Sequence, residues 1–245
     1  MDHSHFDQRR YPVVPVRDGY GEWARTYEDV VQDEMDIRLL ERIEAVDWAR
    51  AGRVLDLACG TGRIGAWLRA RGVADVDGVD FTPEMLAKAE ARGVYRRLVL
   101  ADILATGLPA SSYDLIVECL ADEHLKDLRP LYAEAARLAA PSGVLVLVGY
   151  HSHFLMNGIP THFDREGGGT VTIESHVHLL SDHVKAAHLV TPRRAPASST
   201  PSRSSPGGTC TAPTAAFSRS TPRRPRPRPS RRASSRPGGP PARGR

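Results

Sequence analysis

The sequence predicts an α/β chain built on a doubly wound, mostly parallel sheet, and three observations carry that reading. Short apolar strands alternate with helical segments between Arg53 and Val148. The first strand, Val54-Leu55-Asp56-Leu57, runs into the glycine turn Gly60-Thr61-Gly62 and on into a helix. Eighteen residues past Gly62, a second strand closes on the carboxylate of Asp80. In such sheets ligands bind in the crevice at the carboxyl ends of the strands. A glycine turn paired with a strand-end carboxylate is how that crevice grips an adenine nucleoside.

Each element has its own warrant. Residues 20–47 read as helix, because Leu39, Leu40 and Ile43 recur at helical spacing among Glu34, Asp36, Glu41 and Glu44. Strand one covers 53–57, and the helix after the glycines buries Ile64, Trp67 and Leu68 before Gly72 stops it. Strand two covers 76–79. Its helix opens with Thr82 as N-cap, Pro83 at the first helical position and Glu84 in the first turn, and Gly93 closes it. Strand three is 97–101 and strand four 113–118. Apolar residues at 128, 131, 132, 135 and 138 mark a further helix, which Pro141-Ser142-Gly143 ends. Residues 144–148 are then an unbroken apolar run, as expected of a central parallel strand. These strand ends deliver Cys59-Gly60, Asp80, Asp102, Glu118-Cys119 and Tyr150-His151 to one rim. Farther on, Val171, Ile173, Val177 and Leu179 alternate with Thr172, Glu174, His176 and His178, the histidines falling on the wet face. A short helix from 181 to 189 follows.

Charge divides the chain. From Thr191 to Arg245 there are thirteen arginines, no lysine and no acid; without them the formal +4 becomes −9 for residues 1–190. An acidic body argues against a nucleic-acid substrate, because backbone phosphates demand a positive face. Cys59, Cys119 and Cys210 are too widely spaced for a disulfide framework or a metal pattern, and read as reduced cytosolic thiols. The opening Met-Asp-His-Ser-His-Phe has no apolar segment, so no signal peptide is expected, and no run is long enough to span a bilayer. The expectation is a soluble, cytoplasmic protein with no membrane partner.

Gly60-Thr61-Gly62-Arg63-Ile64-Gly65 fits the G-x-G-x-x-G pattern of dinucleotide enzymes, but Asp56 argues the other way. A carboxylate four residues ahead of the first glycine would crowd a pyrophosphate with like charge. It suits a ligand with an ammonium group and no phosphate. Asp56-Leu57-Ala58-Cys59-Gly60-Thr61-Gly62 resembles motif I of the class I S-adenosylmethionine-dependent methyltransferases. Val79-Asp80-Phe81-Thr82-Pro83-Glu84-Met85-Leu86 resembles their second motif. The resemblance covers residues 20–150 well, 151–190 loosely and 191–245 not at all. It implies a Rossmann-like methyltransferase fold and S-adenosylmethionine as cofactor. Asp56 and Gly60 would face the methionine moiety, Gly62 would pack the turn, Asp80 would take the ribose, and Phe81 would lie along the adenine. Asp102 would stand near the adenine amine, capping of a helix or loop being the alternative, with Ile103 as an apolar wall. Ala58, Cys59, Met85 and Glu118 complete the implied cofactor-binding set. Tyr20, Trp23 and Tyr27 resemble an aromatic stretch that folds over the cofactor in small-molecule members, where cation–π attraction to the sulfonium is one role. Packing of an amphipathic helix is the equal alternative.

Histidines are dense near the rim. His151 leaves it directly and His124 follows strand four, so these two are the candidate general bases, imidazole titrating near neutrality. No third ligand of fixed spacing joins His151 and His153, so no metal is expected. Residues 1–19 read as an N-terminal arm and 20–190 as the methyltransferase domain. Within it, 151–180 reads as a lid that defines the substrate, with Gly167-Gly168-Gly169 as a flexible break. From Thr191 onward Phe217 is the only large apolar side chain, and the Arg/Pro/Ser-rich tail is expected to be disordered. It is either a natural basic segment able to bind nucleic acid or an out-of-frame reading of a GC-rich gene. Family members usually carry seven strands, the last two as an antiparallel pair. Nothing from Thr191 on can form that pair, so the sheet should lack it and leave an apolar edge open. The expected function is methyl transfer from S-adenosylmethionine to a small-molecule acceptor by in-line displacement. The rivals are an NAD(P)-dependent oxidoreductase and a non-catalytic nucleic-acid-binding protein acting through the basic tail.

Overall fold

The computed structural model describes residues 1–31 and 35–190. Glu34 lies outside the described residues. So does the tail at 191–245, with its expected disorder, its reading frame and its nucleic-acid partner.

The elements begin with β1 (Val13–Val14), α1 (Val16–Trp23), α2 (Tyr27–Val30), α3 (Met35–Leu40), β2 (Arg53–Leu57) and α4 (Arg63–Ala70). Then come β3 (Asp75–Asp80), α5 (Pro83–Arg92), β4 (Arg97–Leu100), β5 (Tyr113–Cys119), α6 (Arg129–Leu138) and β6 (Ala139–Val148). The last are α7 (Ser152–Met156), β7 (His162–Asp164), β8 (Thr170–Ile173) and α8 (Leu180–Val190).

The main sheet runs β4-β3-β2-β5-β6 with every pairing parallel. From β2 the chain winds outward through β3 and β4, then crosses back to continue through β5 and β6. The direction of winding therefore reverses between β2 and β5, the switch point where such sheets open a crevice. Successive side chains of one strand feed opposite cores. Val54, Leu115, Val117 and Val146 pack with Leu40, Ile64, Trp67 and Leu68 on one face. Leu55, Leu57, Val79 and Ile116 pack with Leu131, Ala135 and Leu138 on the other. Both faces are covered, which is why these strands read as continuous apolar runs. The expected α/β class and doubly wound parallel sheet are what the chain adopts.

Four local expectations change. The helix read over 20–47 is three short ones, α1 to α3, broken at Ala24–Thr26 and after Val30. The Pro141-Ser142-Gly143 stop lies inside β6, whose register against β5 shifts between Tyr113 and Leu115. The alternating stretch from Thr170 is a strand only to Ile173, and both of its faces are covered: Val171, Thr172 and His176 are all buried. His176 therefore does not lie on a wet face. Finally, residues 1–19, read as an N-terminal arm, are tied to the rest of the described residues. Val13 and Val14 pair in parallel with Thr172 and Ile173 in a second sheet, ordered β1-β8-β7. Backbone hydrogen bonds His3 N to Ser175 O, 3.1 Å, and Thr172 N to Pro12 O, 3.0 Å, lace the same segment to the expected lid.

Among the described residues β6 pairs with β5 alone and is an edge of the main sheet. No described helix is long and apolar enough to cross a membrane.

Candidate functional site

β2 ends in a tight turn whose geometry follows from its residues. Ala58, Gly60 and Gly62 all have left-handed backbone, with φ of 63°, 52° and 86°. For Ala58 that conformation is strained, a cost that tends to collect where a site needs the backbone in one shape. The space beside Gly60, where a side chain would begin, is open for 4 Å. Asp80 ties this turn to the end of β3. Its Oδ2 accepts from Gly60 N at 2.8 Å and its Oδ1 from Thr82 N at 2.8 Å. Burial pushes its carboxyl above the usual range, and those backbone donors oppose the rise.

Around this turn lies a cleft of about 280 Å³. Ala58, Cys59, Gly60, Asp80, Phe81, Met85, Asp102 and Ile103 all line it, as does His124. Tyr20, Trp23 and Tyr27 form a wall of the same cleft. They also pack as a cluster: Trp23 stacks on Phe163 with ring centres 5.2 Å apart and meets Tyr27 edge-on at 4.8 Å. These aromatics therefore pack as a cluster and also present a surface to the cleft. Asp102 caps the next turn, its Oδ1 accepting from Leu104 N at 2.8 Å, and lines the cleft as well.

Four expected residues are not on the cleft wall. Asp56 lies under the turn, 1% exposed, and accepts a hydrogen bond from Tyr95 Oη at 2.6 Å. Burial holds its carboxyl up at about 7. Gly62 sits against Tyr95 and Arg92, away from the cleft. Glu118 is fully buried and accepts from Ala121 N at 2.7 Å, bracing the turn after β5. His151 is exposed and caps α7, where its Nδ1 accepts from His153 N at 3.2 Å. These positions leave Asp56, Glu118 and His151 without direct access to a cleft ligand.

His124 is brought to the cleft in a fixed state. Its Nδ1 lies 2.7 Å from Glu174 O, a carbonyl that only accepts, so Nδ1 carries the proton. Nε2 is then an acceptor, and Tyr20 Oη donates to it at 2.9 Å. Burial lowers the His124 pKa to about 4, so the ring is neutral at physiological pH.

The cleft also recruits residues the sequence reading did not assign. Arg63, the first residue of α4, pairs with the buried Asp36 at 2.9 Å, and both line the cleft. Its position directly after Gly62 was the available signal. Glu123, Tyr150 and Thr161 also line it. Glu123 sits beside His124 in Asp122-Glu123-His124, where only the imidazole drew notice. Leu120, beyond β5, joins Ala58 as a non-glycine residue of the cleft wall with left-handed backbone, φ 58°. Among the described residues no group of three or more ligating side chains is placed to hold a metal ion.

Comparison with known proteins agrees with this architecture. Residues 55–147 match the family model described as a methyltransferase domain. A demethylmenaquinone methyltransferase of Thermus thermophilus is 39% identical over 103 residues, which are 40% of this chain and 47% of that protein. A malonyl-[acyl-carrier protein] O-methyltransferase of Halorhodospira halophila is 32% identical over 173 residues, 68% of this chain and 56% of the relative. The chain thus spans about half the length of these curated relatives. In three dimensions, the structure of a DhpI–SAH complex aligns with a TM-score of 0.58 at 21% identity, covering 71% of this chain and 85% of that one. Parallel sheet, glycine turn, strand-end carboxylate and the match over residues 55–147 converge: the chain is similar to the class I S-adenosylmethionine-dependent methyltransferases.

Proposed function

We propose that this chain transfers a methyl group from S-adenosylmethionine to a small-molecule acceptor by in-line displacement. The observation that carries the reading is the open face of Gly60 locked to Asp80. A turn with no side chain, held by the carboxylate that would take the ribose, is a cradle for a nucleoside. Backbone N–H donors fix both Asp80 oxygens beside the turn, where the carboxylate is placed to meet a ribose hydroxyl. Phe81, Met85 and Ile103 offer apolar walls to a purine, and Asp102 has an oxygen left for its exocyclic amine. The Asp36–Arg63 pair is suited to a zwitterionic amino-acid end, the part given above to Asp56.

When bound, the donor supplies a methyl carbon made electrophilic by a sulfonium. The residues of the chain position the reactants. Tyr20, Trp23 and Tyr27 present aromatic rings suited to a cation. Neutral His124 holds the Tyr20 hydroxyl in one orientation, so Tyr20 faces the acceptor side as an acceptor of hydrogen bonds. The enclosed cleft and the acidic charge of residues 1–190 favour a small molecule over a polymer of phosphates. Free thiols at Cys59 and Cys119 fit a reducing, cytoplasmic setting.

Isothermal titration of the full chain with S-adenosylhomocysteine and with NAD tests the reading. Binding of S-adenosylhomocysteine alone is expected; binding of NAD alone would overturn it.

A further inference from the structure

Glu123 is a group that donor binding does not use. Its side chain is 1% exposed, yet it lines the cleft on the turn after β5. Oε1 accepts from Thr161 Oγ1 at 3.3 Å, while Oε2 has no hydrogen-bond partner among the described residues. A buried carboxyl oxygen lacking a partner is costly, and because Glu123 lines the cleft, a ligand entering there is placed to complete it.

The neighbours cannot complete it. His124 Nε2 stands 3.7 Å from Glu123 Oε1, but its lone pair is taken by Tyr20 and it has no proton to give. The buried Asp122 adds negative potential at the same place, while burial holds the neighbouring Glu118 carboxyl well above the usual range. Arg63 is the only arginine or lysine on the cleft wall among the described residues, and Asp36 engages it. Against that one guanidinium the wall carries four carboxyls, Asp36, Asp80, Asp102 and Glu123.

We propose that Glu123 is the recognition point for a methyl acceptor bearing a protonated amine, bound beside Tyr20, Thr161 and Tyr150. The proposal rests on the donor reading above and adds the chemical class of the acceptor. An ammonium group supplies both missing quantities, N–H donors for Oε2 and positive charge in an acidic wall. An acceptor whose buried end is a carboxylate finds no cation free to meet it, and could be held only by the proton that Glu123 itself keeps. Burial and the Asp122 charge push the Glu123 carboxyl up to about 8, so without a cationic partner it keeps its proton at neutral pH. An ammonium ligand takes the place of that proton.

Phenethylamine and phenylacetate, alike in shape and opposite in charge, are the probes. Each is titrated into the full chain saturated with S-adenosylhomocysteine. Phenethylamine is expected to bind at least roughly tenfold more tightly, the scale of one charge-assisted contact. In Glu123→Gln that preference should fall below about twofold, with S-adenosylhomocysteine affinity unchanged. Equal affinities, tighter phenylacetate, no measurable binding of either probe, or a preference that survives in a folded Glu123→Gln each overturns the proposal. If the variant does not fold, the wild-type ratio alone decides. Failure of the wild type to bind S-adenosylhomocysteine is a separate result, and sinks the donor reading instead.

Discussion

Asp56 and Asp80 look alike in sequence, each a carboxylate on an apolar strand, Asp56 within β2 four residues ahead of Gly60 and Asp80 at the end of β3. Their environments give them different work. Strand alternation sends Asp56 beneath the turn, where Tyr95, 39 residues away in the chain, supplies its partner. The same ring fills the space left by Gly62, Gly65 and Gly78. The third glycine of the G-x-G-x-x-G match therefore makes room for Tyr95, not for a pyrophosphate. A Cβ at Gly65 would overlap the Tyr95 ring, so Gly65→Ala should cost about 1–3 kcal/mol in urea denaturation; an unchanged midpoint would refute this packing account. Asp80→Ala should weaken S-adenosylhomocysteine binding by roughly 10- to 100-fold, and Asp56→Asn by less than about threefold, as calorimetry can read. Equal losses would return Asp56 to the ligand. The pH dependence separates them further. Between the ordinary aspartate value of 3.8 and about 7, the folded state keeps a proton on Asp56 that the unfolded chain has lost. That contribution to stability falls as pH rises through the window. Asp56→Asn removes the fall, so from pH 5 to pH 8 the variant should gain on the wild type, by up to about 2.6 kcal/mol. A gap that does not move with pH would show that the carboxyl titrates normally.

The cleft has two walls at the scale of elements, and only one was legible from local pattern; for the other, resemblance offered Tyr20, Trp23 and Tyr27 but not their partners. The rim made by β2, β3 and the turn after Asp80 follows from local pattern: apolar strands covered on both faces, a glycine turn, and Thr82-Pro83-Glu84 opening α5. The opposite wall depends on contacts between distant segments. Tyr20 meets His124 across 104 residues, and β1 joins β8 across the whole domain. No periodicity encodes such partners. For the same reason the helix read over 20–47 breaks. Residues 20–31 serve the cleft and Phe163 together, and the chain bends at Ala24–Thr26 to face both. Histidine density was an unreliable guide, because imidazoles here cap α7, as His151 does, or hold backbone carbonyls, as His178 does with Leu125 O at 2.6 Å. The shared role of this wall can be tested at Trp23, which is buried between Tyr27 and Phe163. Trp23→Ala should destabilise the chain by about 3–5 kcal/mol in urea titration and also weaken S-adenosylhomocysteine binding. A large stability loss with intact affinity would make the aromatic wall structural only.

Across residues 1–190, the division of labour between the walls has a consequence for the molecule in solution. The rim rests on the central sheet, whose strands are covered on both faces. The aromatic wall rests on α1, the two-residue strand β1 and the small sheet, all held by fewer apolar contacts. Segments with less buried apolar surface open at lower free energy than the core. A ligand touching both walls can bind only when they are together, so it stabilises the closed arrangement by mass action. S-adenosylhomocysteine at about 100 times its dissociation constant should add roughly 2.7 kcal/mol, a rise in Tm on the order of 5–10 °C. The pattern of protection is the sharper measurement. Amide exchange should slow in residues 16–27 as well as in 58–62 and 80–85, because donor contacts are expected from both sets. Protection confined to the glycine turn and β3 would mean that the donor binds the rim alone. The aromatic segment would then belong to the acceptor, and the cation–π contact to the sulfonium would be lost from the account.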